Sequence, residues 1–418
     1  MHSGQSLGGD SLPTVRELAG KLGVSPATVH AAYKNLRARG LVTGQGRGGT
    51  RVAFHPPAPA AVVHPAFPSG AVDLASGNPD PALLYSFERA LRAIDPTHVL
   101  YGGAVPDKAL LAFAASEFET DGVPAGSVAV TSGALDAVER ILRESVRPGD
   151  RVALEDPSFP GMRDLISASG FVAVPFAIDD EGPIADAVAV ALSRGCRAMI
   201  ATPRAQNPTG AAMTVERARE LRRLLRRFSD VMVIENDYAA PIAGTPAVHL
   251  AGDGRQRWAV VRSTSKFLGP DLRVAVMAGD ELTVSRVQGR QALGARWVSH
   301  ILQRLALALW SDPASGRRLA RAGEIYAQRR NALQTALAAR GIAVQARSGF
   351  NIWVPVRDES HVVRVLGDRG WAVAAGERFR IQAGPGIRVT TAALDPSGAE
   401  RFAADLAEAV RPAAARHA

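Results

Sequence analysis

The chain of 418 residues has one cysteine, four lysines among 49 basic residues, and only 6% aromatic side chains. A lone cysteine excludes an internal disulfide framework and any cysteine-cluster metal site, and Cys196 reads as a buried residue at a strand edge. Long apolar runs are also missing. Each is broken by Arg, Asp, Gly or Pro before the roughly 20 residues that a membrane span needs. No basic-then-apolar leader opens the sequence, so the expected location is the cytoplasm. His30 has no second His, Cys or carboxylate at ligand spacing, so no metal site is expected there.

A hydrophobic content of 47% over this length supports a large core, and the length suggests two or three domains. The net charge of +9 is unevenly spread: residues 1–54 carry seven Lys or Arg against two acids. That excess marks the segment as a candidate binder of nucleic acid.

Within it, Leu12, Val15, Leu18, Ala19 and Leu22 recur at helical spacing over 11–23, with Pro13 near the start and Gly23 as the stop. Ser25-Pro26 reads as an N-cap with proline at the first helical position, opening a second helix that runs to Gly40. Two short helices across a tight glycine turn make a helix-turn-helix. Residues 41–43 and 50–53, joined through a glycine-rich stretch, read as a hairpin, the wing. In such a unit the second helix would lie in the major groove of double-stranded DNA. Ser25, Ala27, Thr28 and His30 would then sit near base edges, with Arg16, Lys34, Arg37 and Arg47 facing phosphates. Tyr33 and Leu36 read as core.

Residues 55–70 hold five prolines in sixteen positions and read as a semi-extended linker. Beyond it, short β-branched runs at 128–131, 152–155, 172–175, 198–202, 231–235 and 259–262 alternate with amphipathic helices. This predicts an α/β fold with a mostly parallel sheet covered on both faces. The domain division is then 1–54 for the winged helix, 55–70 for the linker, 71–313 for a large domain and 314–418 for a smaller α+β subdomain.

In open α/β sheets ligands bind beyond the carboxyl ends of the strands. The residues there are polar and rich in donors: Ser132-Gly133-Ala134, Asn207-Pro208-Thr209-Gly210, Glu235-Asn236-Asp237-Tyr238 and Ser263-Thr264-Ser265-Lys266. A glycine turn opening a helix suits a phosphate. Lys266 just after Ser263 and Ser265, with Arg273 seven residues on, suits a Schiff base to an aldehyde cofactor that carries a phosphate.

Residues 71–418 resemble the fold-type I aminotransferases through SGNPDP, TSGALDA, EDPSFPG, TPRAQNPTG, ENDYA, STSKFLGPDLRVA and GIRVT. Residues 11–53 resemble a GntR-type winged helix through SLPTVRELAGKLGVSPATVHAAYKNLRARGLV. The combination resembles the MocR subfamily of regulators. The resemblance implies pyridoxal 5'-phosphate as cofactor, with Lys266 as its aldimine lysine. Ser263, Ser265, Arg273 and the Ser132-Gly133-Ala134 turn would meet the phosphate, and Asn207 and Tyr238 the ring hydroxyl. Phe159 would stack on the pyridine, Tyr101 would reach the neighbouring subunit's phosphate in a homodimer, and Arg388 would grip a substrate carboxylate. The implied function is transcription regulation in response to the cofactor or a small amino compound, with vitamin B6 or amine metabolism as target. The alternative is a working aminotransferase that keeps a vestigial winged helix.

Two departures stand out. Many relatives read Glu-Asp-Asp where this chain has Glu235-Asn236-Asp237, so the partner of the pyridine nitrogen falls on either of the last two, and chemistry favours Asp237. Relatives also carry a full helix before the equivalent of Ser11-Leu12-Pro13, so the winged helix is expected to lack its first helix.

Overall fold

The structure is a computed structural model that describes residues 10–38, 42–44, 49–52, 70–102, 106–252 and 254–411. The first helix, α1, spans Val15–Leu22 and begins later than its apolar spacing suggests. Thr14 and Glu17 form a capping box, each side chain accepting from the other's backbone N–H, while Gly23 in the left-handed region ends the helix. Residues 11 and 12 are drawn instead into the wing: Ser11 bridges Arg51, and the Leu12 N–H donates to the Thr50 carbonyl at 2.8 Å. Helix α2 spans Pro26–Ala38, and the Ser25 hydroxyl accepts from the Thr28 N–H at 3.1 Å. Ala19, Val29 and Tyr33 form the buried centre, and the Tyr33 hydroxyl donates to the Pro13 carbonyl at 2.8 Å. Strands β1 (Val42–Gly44) and β2 (Thr50–Val52) pair antiparallel with Val42 opposite Val52. Nearly all of the expected linker lies outside the described residues.

A three-residue strand, β3 (Val72–Leu74), precedes the large domain. That domain's sheet contains β4 (Val128–Thr131), β5 (Arg151–Asp156), β6 (Val172–Asp179), β7 (Gly182–Pro183), β8 (Cys196–Ala201), β9 (Met232–Asn236), β10 (Trp258–Ser263) and β11 (Ala275–Gly279). They lie in the order β4-β11-β10-β9-β8-β5-β6-β7. Strands β10, β9, β8, β5 and β6 run parallel to one another, while β7 pairs antiparallel with β6 at one edge and β11 runs antiparallel between β10 and β4 at the other. Its central strands are buried on both faces, as a sheet covered by two helical layers requires.

The second sheet has the order β12-β14-β13-β3, with β12 (Asn351–Pro355), β13 (Trp371–Ala375) and β14 (Gly386–Thr390). Here the structure corrects the expected division. Strand β3, assigned by the sequence to the large domain, pairs parallel with β13 and buries Leu74 in the C-terminal core. The helix Pro313–Ala338 serves both cores: Leu319, Ala322 and Tyr326 pack into the large domain, and Leu333, Ala336 and Leu337 into the small one. A boundary at 314 therefore cuts a shared element.

Candidate functional site

Strands β8, β9 and β10 and the start of the helix Ala134–Ser145 converge on a cavity of about 230 Å³. Of the expected residues, Lys266, Asn207, Tyr238, Phe159 and Arg388 line it, together with Asn236. Ser263, Ser265, Arg273 and Ala134 complete one end. Lys266 follows the end of β10, and its Nζ donates to the Gly77 carbonyl at 2.7 Å. Burial, then the nearby Arg388 guanidinium, push its ammonium down to about 8. Gly77 itself was overlooked by sequence reasoning, although it lies in the SGNPDP stretch. It has φ +69°, and a Cβ there would come within 2.9 Å of the Arg388 guanidinium.

The phosphate-type end is built from short-range geometry. The Ser263 and Ser265 hydroxyls lie 2.9 Å apart. No side chain caps the helix that starts at Ala134, so its first N–H groups are available to an anion. Gly133 has φ +102°, and a Cβ on it would meet Arg273 Nη2 at 2.5 Å. Neither Ser132 nor Gly133 lines the cavity: the Ser132 N–H is taken by Asp136 at 3.0 Å, and its carbonyl accepts from Arg273 at 3.4 Å. The turn thus holds Arg273 while Ala134 and Leu135 face the space.

On the opposite side, the Tyr238 hydroxyl donates to the Ala205 carbonyl at 2.5 Å, and burial holds its phenol well above the usual range. Arg388, on the central strand β14, donates to Asn207 Oδ1 at 3.3 Å and to the Ala75 carbonyl, and its guanidinium carbon lies 4.9 Å from the Phe379 ring centroid. Its Nε is buried without a partner among the described residues, and burial lowers its basicity to about 10. Thr202 and Ser76, which the sequence did not single out, also line the cavity.

Asp237, the residue that chemistry favoured for the pyridine nitrogen, does not line the cavity. It is completely buried. Its Oδ1 accepts from Arg204 Nε at 2.8 Å, and its Oδ2 from Arg204 Nη2 at 2.8 Å and Arg262 Nη2 at 2.9 Å. Burial raises its carboxyl's pKa, yet Arg204 and Arg262 together hold it below the usual range. Asn236, one position earlier and therefore on the other face of the strand, is the residue that faces the cavity. Asp121, Asp237 and His249 bring ligand atoms within 4.8 Å of one another, but the two guanidiniums already occupy the carboxylates.

Tyr101 lies away from this chain's cavity, 79% exposed, with its ring 5.5 Å from that of Trp297. In the winged helix, Arg16, Ser25, Ala27, Thr28, His30, Lys34 and Arg37 are all exposed. Ser25 and Thr28 are partly engaged with each other, their hydroxyls 2.8 Å apart, and Arg37 reaches Thr50 at 3.4 Å. Arg47 lies outside the described residues.

Residues 73–406 match the family described as aminotransferase class I and II, and residues 1–52 match the bacterial regulatory proteins of the gntR family. The chain is 40% identical over 403 residues to the "Vitamin B6 salvage pathway transcriptional repressor PtsJ" of Salmonella typhimurium, covering 96% of this chain and 94% of that one. The chain belongs to the MocR-type regulators of the GntR family. This regulator is also 25% identical over 342 residues to the "HTH-type pyridoxine biosynthesis transcriptional regulator PdxR" of Corynebacterium glutamicum, covering 79% of this chain and 74% of that one. Among solved structures, the multiple substrate aminotransferase from Thermococcus profundus superposes with a TM-score of 0.74 at 20% identity, over 82% of this chain and 92% of that one. That likeness establishes the fold-type I architecture. Among the described residues, no helix is long and apolar enough to cross a membrane.

Proposed function

We propose that this MocR-type regulator holds pyridoxal 5'-phosphate in the cavity around Lys266, and that cofactor occupancy, or its capture by a small amino compound, sets the affinity of the winged helix for operator DNA. One observation carries the reading: a half-buried lysine with lowered basicity stands among two arginines, and no carboxylate among the described residues lines its cavity. Such a space favours a ligand with several negative charges and a carbonyl.

The residues fit the group. Ser263, Ser265, Arg273 and the uncapped helix start at Ala134 offer donors to a phosphate. Among the described residues, buried Asn236 Oδ1 and Arg388 Nε lack partners that a polar ligand can supply. When bound, the cofactor supplies an aldehyde and an electron-withdrawing ring. Lys266 is the amine that would hold the aldehyde, and its depressed pKa leaves part of it unprotonated near neutrality. Tyr238 and Asn207 would orient the ring hydroxyl, Phe159 would cover the ring face, and Arg388 would offer a fork to a ligand carboxylate. Tyr101 contributes to the partner's site in a homodimer, which accounts for its exposure here.

A physical link joins this cavity to the small domain. The Asp156 carboxylate, just before Phe159, accepts from the N–H groups of Ile381, Gln382 and Ala383 at 2.6 to 2.8 Å. Ligand-dependent movement of the Phe159 loop is therefore felt by the element that leads into β14. The name of the Salmonella relative supports vitamin B6 salvage genes as the target.

The test is an absorbance spectrum of the purified protein with added pyridoxal phosphate, before and after Lys266→Ala. A red-shifted band in the wild type that disappears in the variant is expected. No band in the wild type would remove the cofactor from the account.

A further inference from the structure

We infer that Asn236 is the side chain that meets the cofactor's ring nitrogen, and that its uncharged amide keeps this nitrogen unprotonated, so that the site retains its ligand without performing amino transfer. The inference rests on the cofactor reading above and adds to it the charge state of the ring.

Its first support is position. Asn236 closes β9, lines the cavity and is 8% exposed, and its Oδ1 is buried with no partner among the described residues. A buried amide left unpaired is costly, and because a neutral ring nitrogen only accepts, the Asn236 amide turned over, with its NH2 toward the cavity, is the orientation that donates to that nitrogen and removes the cost.

The second support is the account of acids on the elements that build the cavity. None faces it among the described residues. Asp237 is consumed by Arg204 and Arg262. Glu155 accepts from the Thr202 N–H at 2.7 Å, the Thr202 hydroxyl at 2.9 Å and Gln206 at 3.1 Å. Glu235 accepts from the N–H groups of Leu250 and Ala251 at 2.7 and 3.0 Å, and Asp73 from those of Ala75 and Ser76 at 2.9 and 2.8 Å. The charged groups that do line the cavity, Lys266, Arg273 and Arg388, are all basic. A protonated pyridine would therefore add a positive charge to a basic site with no anion beside the nitrogen. The neutral ring, accepting from the Asn236 amide N–H, adds none.

A carboxylate beside the ring nitrogen is the device by which proteins stabilise the pyridinium form and strengthen the ring as an electron sink. Without it, Lys266 can still exchange for an incoming amine, but loss of the amine's α proton is poorly supported. Covalent capture and release of ligands are retained, as a sensor requires, while conversion is suppressed.

The experiment uses full-length protein loaded with pyridoxal phosphate labelled with ¹⁵N in the ring. The wild type is expected to give the chemical shift of a neutral pyridine at pH 7, and Asn236→Asp to move it to the pyridinium position. In the same samples, exchange of an amino acid's α proton with deuterated water should rise by ~10-fold or more in Asn236→Asp. Asn236→Ala, which removes the amide without adding charge, should keep the neutral shift and bind the cofactor more weakly. A pyridinium shift in the wild type, or a neutral one in a cofactor-loaded Asn236→Asp, overturns the inference. If the wild type acquires no Lys266-dependent absorbance band, the cofactor reading itself has failed, and this inference with it.

Discussion

Replacing Lys266 by methionine should stabilise the cofactor-free protein. The lysine's pKa falls from an ordinary 10.5 to about 8, first because burial strips water from the ammonium and then because Arg388 repels it. At about 1.4 kcal/mol per pH unit, this costs the folded state ~3 kcal/mol at pH 7. Methionine has similar reach and no charge, and it relieves that cost. It also gives up the 2.7 Å bond to the Gly77 carbonyl. Loss of that bond offsets ~1 kcal/mol, leaving a net gain of ~2 kcal/mol. In thermal unfolding at pH 7 that gain corresponds to a rise of ~5 °C in the melting midpoint of the large domain.

The pH dependence gives the sign. Between about 8 and 10.5 the unfolded lysine carries a proton that the folded one has lost, so wild-type stability climbs with pH through that window. The advantage of Lys266→Met should therefore be full below pH 8 and gone above 10.5. A variant that melts below the wild type at pH 7, or an advantage that persists unchanged at pH 10.5, would refute the reasoning.

Asp237→Asn should act oppositely, costing ~3–5 kcal/mol in urea unfolding at pH 7, because two buried guanidiniums are left with only half a network. Because the Asp237 carboxyl is held below its usual range, its contribution is complete above the unfolded pKa of about 4 and is lost as pH falls further, so the two proteins should converge in acid. A cost under ~1 kcal/mol would contradict the ion-pair geometry. Arg388→Ala should leave the Lys266-dependent absorbance intact but weaken binding of carboxylate-bearing amines by ~10-fold or more, with simple amines unaffected; equal losses for both would show that Arg388 only packs. Lys34→Ala should weaken DNA binding similarly on all sequences and reduce the salt slope by ~1, and an unchanged slope would move the phosphate contact elsewhere.

Most of the fold was legible because its signals are local. The strand ends carrying Lys266, Asn207 and Tyr238 follow β-branched runs, and the helix-turn-helix announces itself through Ser25-Pro26 and the Gly23 turn. What escaped is non-local. Strand β3 is only three residues long, and it is a strand only because β13, some 300 residues on, offers it an edge. The start of α1 shifted because Leu12 is claimed by the wing. The choice between Asn236 and Asp237 could not be read from alternation, since β9 is buried along its whole length and shows no polar face. Arg204 and Arg262, residues distant in sequence, hold Asp237 in ion pairs away from the cavity.

The central claim, that the cofactor held at Lys266 governs DNA binding, is tested most directly by titrating the regulator's own upstream DNA at fixed salt with and without pyridoxal phosphate, for wild type and Lys266→Ala. The account predicts that the cofactor changes the wild-type Kd by ~5-fold or more and leaves the Lys266→Ala isotherm unmoved. Superimposable wild-type isotherms with and without cofactor, on DNA that the protein binds specifically, would contradict it.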